Sequence, residues 1–212
     1  MRKLEIPFIS TEYQNDVYVI AVEGCNGTGK TTLCNEYSIR HPEIEYSLCV
    51  PDIYQTEKNM KHYMLFQSSA LCSALYYLAG AIEIRKLHNP SINKVLFDRS
   101  LWSTFAAAYV KDESIMSDLF NCLKSLRNYL LFPNKVIVLE ASYETAIFRI
   151  SNKSTGAEFD KDKLDEYNKK AFFYHLLKDA GYNVSFIDTE NKTETEVYNE
   201  FVALCNNFKV EK

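Results

Sequence analysis

Short apolar, β-branched runs recur along the chain, separated by longer stretches in which apolar and polar residues mix. VYVIAV (Val17 to Val22), SLCV (Ser47 to Val50), KVLFD (Lys94 to Asp98), KVIVLEA (Lys135 to Ala141) and NVSFID (Asn183 to Asp188) read as strands, the most apolar of them buried on both faces. TTLCNEYSIR, after the first run, suits a helix. Further helices are expected over Tyr63 to Leu87, where His88-Asn89-Pro90 breaks the pattern, over Tyr143 to Ser151 and over Lys161 to Ala180. Strands alternating with helices specify an α/β fold: a five-stranded parallel sheet with right-handed crossovers and helices on both faces, three layers in all. Residues 1–16 read as a mobile or edge extension ahead of the first strand. No internal repeat, low-complexity tract or linker interrupts the pattern, so residues 1–212 are expected to form one domain. Ligands of such sheets bind beyond the carboxyl ends of the strands.

Composition narrows the partners. With 47% hydrophobic and 25% charged residues and a formal net charge of −4, the chain looks like an ordinary soluble protein that offers no global attraction to nucleic acid. The lysines at 161, 163, 169 and 170 are interleaved with acids, as on a solvated helix face. The six cysteines are dispersed, without a C-x-x-C pair, which fits small buried thiols in a reducing compartment. No signal-peptide pattern or membrane-length apolar run is visible, so a cytoplasmic protein without membrane partners is expected.

Chemistry is concentrated after the first strand. GCNGTGKTT (Gly24 to Thr32) packs three of the chain's six glycines into six residues and separates a buried strand from a helix. Such a turn collects backbone N–H groups at a helix N-terminus, whose dipole favours an anion. Gly24-x-x-x-x-Gly29-Lys30-Thr31 fits the phosphate-binding pattern G-x-x-x-x-G-K-[ST] without a mismatch. The glycines permit close backbone approach, Lys30 brings a point charge to the β- and γ-phosphates, and Thr31 offers a hydroxyl to Mg²⁺. The expected phosphate contacts are Gly24, Asn26, Gly27, Thr28, Gly29, Lys30, Thr31 and Thr32. An ordinary glycine-rich turn with an exposed lysine is the alternative, and the strand before and helix after speak against it. Asp98 ends the third strand, where a carboxylate can hold Mg²⁺ or its water shell, and Arg99 beside it suits phosphate oxygens. Read alone, the same residues could be a helix cap and its ion-pair partner.

Together, VEGCNGTGKTT and FDRSLWSTFAAAY resemble the thymidylate kinase-like group of P-loop kinases, which takes in nucleoside monophosphate kinases and deoxynucleoside kinases. The group's motif Glu-Gly-x-x-Gly-x-Gly-Lys-[Ser/Thr]-Thr is matched from Glu23 to Thr32, and Asp/Glu-Arg-x-x-x-Ser by Asp98, Arg99 and Ser103. The resemblance runs from about Val17 to Asp188. It implies ATP with Mg²⁺, Thr31 and Asp98 on the metal side, and a lid at residues 149–160 whose cations, Arg149 and Lys153, would join Lys30, Asp98 and Arg99 in phosphoryl transfer. It also implies that the loop DTENK, through Asp188 and Thr189, lies along the adenine. A homodimer is a further implication, with Ala70 to Leu78 as candidate face; core packing accounts for that stretch equally well.

The chain departs from the group in several places. Cys25 and Asn26 are uncharged, the lid carries Lys153 where arginines are usual, and Ile53 and Tyr54 follow Pro51-Asp52 without an arginine. The acceptor therefore stays open between two classes. A monophosphate needs only positioning and cations, for which Lys58 and Lys61 could supply charge. A nucleoside 5′-hydroxyl needs a base, and Asp52 stands where deoxynucleoside kinases carry one, with Phe66-Gln67 resembling their base-reading pair. Asp52, Gln67, Arg99 and Ser103 are the expected acceptor contacts. The loop form favours a nucleotide kinase, with thymidylate the leading acceptor. A nucleotide-binding module without catalysis is the remaining alternative.

Overall fold

The computed structural model describes residues 4–11, 14, 17–52, 54, 57–152 and 163–206. Its sheet has five parallel strands in the order β2-β3-β1-β4-β5: β1 (Tyr18–Gly24), β2 (Glu45–Leu48), β3 (Lys94–Asp98), β4 (Lys135–Glu140) and β5 (Val184–Asp188). Between them run helices α1 (Lys30–Arg40), α2 (Lys58–His62), α3 (Ala70–Leu87), α4 (Leu101–Lys111), α5 (Met116–Leu126), α6 (Tyr143–Ser151) and α7 (Leu164–Asp179), and α8 (Glu194–Asn206) closes the described chain. The two-residue period of the strands divides the core. Ile20 and Val22 of β1 and Ile137 and Leu139 of β4 face α1 and α8, where they meet Leu33, Tyr37, Val197 and Phe201. Val136 and Val138 of β4 face the other layer and pack with Trp102, Phe105, Phe120 and Phe173 from α4, α5 and α7. A fully buried ring such as Phe201 contributes about 3–5 kcal/mol by the cost of truncating it to alanine.

Three sequence expectations are corrected. The segment before β1 is not merely a mobile or edge extension: Ile9 is buried in the α4–α7 core layer, and its N–H donates to the Tyr182 hydroxyl at 3.1 Å. Gln14 is buried as well, its side chain donating to the Phe132 carbonyl at 2.5 Å and accepting from the Phe132 N–H at 2.9 Å. A side-chain amide that mimics a strand partner is invisible to a periodicity reading. Strand β2 begins at Glu45 and ends at Leu48 rather than running from Ser47 to Val50, because its partner β3 ends opposite, at Asp98. The helix expected over Tyr63 to Leu87 is interrupted. A π-helical turn covers Tyr63–Gln67, Ser68 and Ser69 are extended, and Ser69 starts α3 afresh by accepting the Cys72 N–H at 3.2 Å. Two consecutive serines prefer such local bonds to continuing a helix.

The central strands aim the loops. Register pairs Val22 with Asp98 and Gly24 with Leu139, so the first loop and the end of β3 emerge side by side at the carboxyl edge. From that edge the connection after β1 runs toward β2 and the connection after β4 runs the opposite way, toward β5, which opens a crevice between them.

Candidate active site

Gly24, Gly27 and Gly29 all adopt positive φ, at 131°, 83° and 99°. A Cβ on Gly24 would lie 2.3 Å from the Leu139 carbonyl oxygen, and one on Gly27 would lie 2.4 Å from that of Ala146. These two glycines let the loop press against β4 and α6. Gly29 is different, since a Cβ there would meet nothing within 4 Å. Its backbone borders open space at the N-terminus of α1, the place where a phosphate would meet free N–H groups.

Lys30 is buried at 4% exposure, and its ammonium donates to the Cys25 carbonyl at 2.5 Å. Burial, then the positive charge of Arg99, pulls it down to about 7. A lysine so poorly solvated gains strongly from an arriving polyphosphate. Thr28 spends its hydroxyl on the same Cys25 carbonyl at 3.0 Å, so its part is to shape the loop.

Thr31 donates through Oγ1 to Asp98 Oδ2 at 2.6 Å, joining the two groups expected on the metal side. The other carboxylate oxygen, Asp98 Oδ1, is buried without a hydrogen-bond partner among the described residues. An anionic oxygen left so in the interior is costly unless a cation or its water meets it, so the donor set fits Mg²⁺.

Arg99 follows at φ 72°, a left-handed conformation that costs a non-glycine residue about 1–3 kcal/mol. Its N–H donates to the Val22 carbonyl at 3.0 Å, and its guanidinium reaches the loop to donate to Asn26 Oδ1 at 2.6 Å. Asn26 is thus tied to Arg99 rather than to open space. Ser103, expected at the acceptor, donates to Glu23 Oε2 at 2.5 Å instead.

On the other side of the loop lies a cleft of about 490 Å³ lined by Gly27, Gly29, Thr32, Phe148, Arg149, Thr189, Lys192 and Val197, among others. Arg149 donates to Thr189 Oγ1 at 2.9 Å and to the Thr189 carbonyl at 2.8 Å. These two hydrogen bonds tie the guanidinium to the loop after β5, and Arg149 lines the cleft. Thr189 lines this cleft. Asp188 is exposed and accepts the Glu190 N–H at 2.8 Å. Lys153 and most of the expected lid lie outside the described residues.

The acceptor side is looser. Asp52 and Gln67 are exposed, Gln67 at the end of the π-helical turn. Lys111 of α4 donates to the Ser68 carbonyl at 2.5 Å, holding the break between that turn and α3. Gly80 of α3 lets the chain after β2 come close: a Cβ there would lie 2.7 Å from Val50 Cγ1. Sequence reasoning missed Lys111, Gly80, Phe148 and Tyr174. Phe148 is an exposed apolar residue known only by its place in the cleft, the other three act through distant partners, and only Gly80, a glycine inside a helical run, left a signal.

A phosphate-binding loop on a β2-β3-β1-β4-β5 parallel sheet, with a Thr–Asp pair beside it, defines a nucleotide phosphotransferase of the P-loop class. Residues 22–200 match the family model described as Thymidylate kinase, and the chain belongs to that family. It is 32% identical over 136 residues to a probable thymidylate kinase of Methanocaldococcus jannaschii, covering 63% of this chain and 66% of that one. It is 28% identical to the thymidylate kinase of Campylobacter concisus over 84% of this chain and 93% of that one. Among solved structures, thymidylate kinase from Candida albicans superimposes with TM-score 0.68 at 19% identity, over 89% of this chain and 91% of that one. The deoxyadenosine kinase of M. mycoides with bound dATP gives TM-score 0.64 at 19% identity, over 89% and 99%. Those two likenesses carry the fold.

Proposed function

We propose that this chain transfers the γ-phosphoryl group of ATP to thymidine 5′-monophosphate, giving the diphosphate. The observation that carries the reading is the meeting of Lys30, Thr31, Asp98 and Arg99 at one end of the sheet, inside the segment that matches the family. The loop amides and Lys30 hold the β- and γ-phosphates of ATP. Arg99, reaching across to Asn26, stands between donor and acceptor, where a forked guanidinium can bridge the transferring group and the incoming monophosphate. Thr31 and Asp98 would hold Mg²⁺, which supplies charge neutralisation at the phosphates when bound. The purine occupies the cleft beside Phe148 and Arg149, whose guanidinium is held flat by Thr189. In this reading Arg149 serves the base, and Lys153 is left as the lid cation.

A monophosphate acceptor brings an oxygen that is already anionic, so no general base is required. Asp52 then orients the acceptor from its exposed position. Pairing of two copies through Leu71 and Leu75, both exposed on α3, belongs to the same proposal and is checked by sedimentation. None of the described helices is long and apolar enough to cross a membrane, and a cytoplasmic site of action completes the reading.

The test is ADP release with thymidine, deoxycytidine, deoxyadenosine and deoxyguanosine and each of their 5′-monophosphates. Turnover is expected with thymidine monophosphate above the others. Turnover with a free nucleoside and with no monophosphate would overturn the acceptor and make Asp52 its base.

A further inference from the structure

Glu23, the last residue but one of β1, has no exposed surface. Among the described residues, the hydrogen bonds to its carboxylate come from four neutral donors. Oε1 accepts from the N–H and the hydroxyl of Ser100, each at 2.7 Å. Oε2 accepts from the Ser103 hydroxyl at 2.5 Å and from the Tyr174 hydroxyl at 3.0 Å. Tyr174, on α7, is itself buried, and burial followed by the charge of Glu23 keeps its phenol protonated and donating. A charge taken out of water at this expense is poor evidence for stability and a good candidate for fixing one conformation.

The conformation at stake is that of Arg99. Its left-handed backbone is fastened on both sides: its own N–H to Val22, and the following N–H, that of Ser100, to Glu23. Without the second fastening, the peptide after Arg99 is free to turn back toward an ordinary φ, and the guanidinium leaves Asn26. We propose that Glu23 and Tyr174 are positioning residues that act through Arg99, with α7 as the wall that locks the carboxylate. This rests on the reading that Arg99 bridges the two nucleotides.

Tyr174→Phe removes one hydroxyl and keeps the ring. It is expected to lower kcat with thymidine monophosphate about tenfold while the KM for ATP stays put, the size expected for losing one hydrogen bond to a charged group. In an Arg99→Lys background the same substitution is expected to change kcat little, since both act on one group. A purely structural tyrosine would instead lower Tm and add its loss to that of Arg99→Lys. Glu23→Gln, which replaces an acceptor oxygen with a donor among donors, is expected to lower kcat at least as far. A readout independent of turnover uses nitrogen-labelled arginine side chains: the Arg99 guanidinium resonance, assigned by its loss in Arg99→Lys, should be sharp in the native chain and broadened in Tyr174→Phe. An unchanged resonance with additive kinetics overturns the inference, even where the native chain is active on thymidine monophosphate. A native chain inactive on every nucleotide sinks the functional reading, while the resonance still decides the positioning.

Discussion

Around the phosphate loop Asn26 and Thr31 bond to the side chains of Arg99 and Asp98, and Thr28 and Lys30 to the Cys25 carbonyl, whereas across Lys58–Gln67 no side chain is buried. The donor half is assembled from the two central strands and the helices packed on them, and its geometry is set by backbone bonds such as Ser100 to Glu23 and Arg99 to Val22. The acceptor half is a strip of chain between β2 and α3, pinned by Lys111 on Ser68 and by the approach of Val50 to Gly80. In the proposed reading, rigid preparation of the reacting phosphates is combined with an exposed acceptor wall. Electrostatic catalysis needs the first, and selection among acceptors that differ in a ring substituent is served by the second.

Substitutions sharpen that contrast. The largest effect is expected at the donor side: Lys30→Ala should lower turnover by roughly a hundredfold or more while the chain still folds. The same lysine leaves a proton signature. Lowered to about 7 in the free protein, it is largely neutral at pH 8, and bound polyphosphate raises it again. Binding of ATP at pH 8 should therefore take up a proton, read by calorimetry in buffers of different ionisation enthalpy. Uptake should vanish in Lys30→Met and shrink below pH 6, where the lysine is already charged. The folded chain holds fewer protons than the unfolded one between about 7 and the usual lysine range, so Lys30 alone makes the free protein gain stability as pH rises through that window.

Next in size comes Asp98→Asn, expected to shift the Mg²⁺ concentration for half-maximal rate upward by about tenfold, since an amide is a weaker ligand than a carboxylate. Overlaying magnesium titrations would remove Asp98 from the metal. Gly80→Ala moves to the acceptor half. Its Cβ collides with Val50, and relief of such overpacking costs about 1–3 kcal/mol. The Michaelis constant for the acceptor should rise several-fold, with that for ATP unchanged. Equal changes in both would mean that the halves are not separable. Asp52→Asn is expected to do least, about a threefold loss in kcat, against the 10²–10⁴-fold of a missing general base.

Legibility followed the same divide. The donor side could be read because its chemistry is local: the loop spans adjacent residues, and Asp98-Arg99 ends an apolar strand whose limits, Lys94 to Asp98, came out as read. Phosphate binding by backbone amides forces glycines into fixed spacing, and that spacing shows. The acceptor side could not be read so well, because Ser68 and Ser69 stop a helix that hydrophobicity alone would continue. Glu23 was visible only as a motif letter. Its four donors come from β3's end, α4 and α7, the farthest of them 151 positions away, and no window of sequence contains them. Arg149 was read as a lid cation because the resemblance places a lid after β4, whereas the structure bonds it to Thr189 and sets it in the lining of the cleft.

The break at Ser68 and Ser69 has a consequence for how such a chain changes over time. Because α3 is capped by its own Ser69 and anchored through Ala70, Ala74 and Leu78, the stretch ahead of it can be rewritten without disturbing the helix. Mutations across Lys58–Gln67 touch no buried side chain, so under the proposed function they bear more on acceptor choice than on folding. Substitutions in the loop, or at its partners Asp98 and Glu23, meet the demands of folding and of the proposed chemistry together.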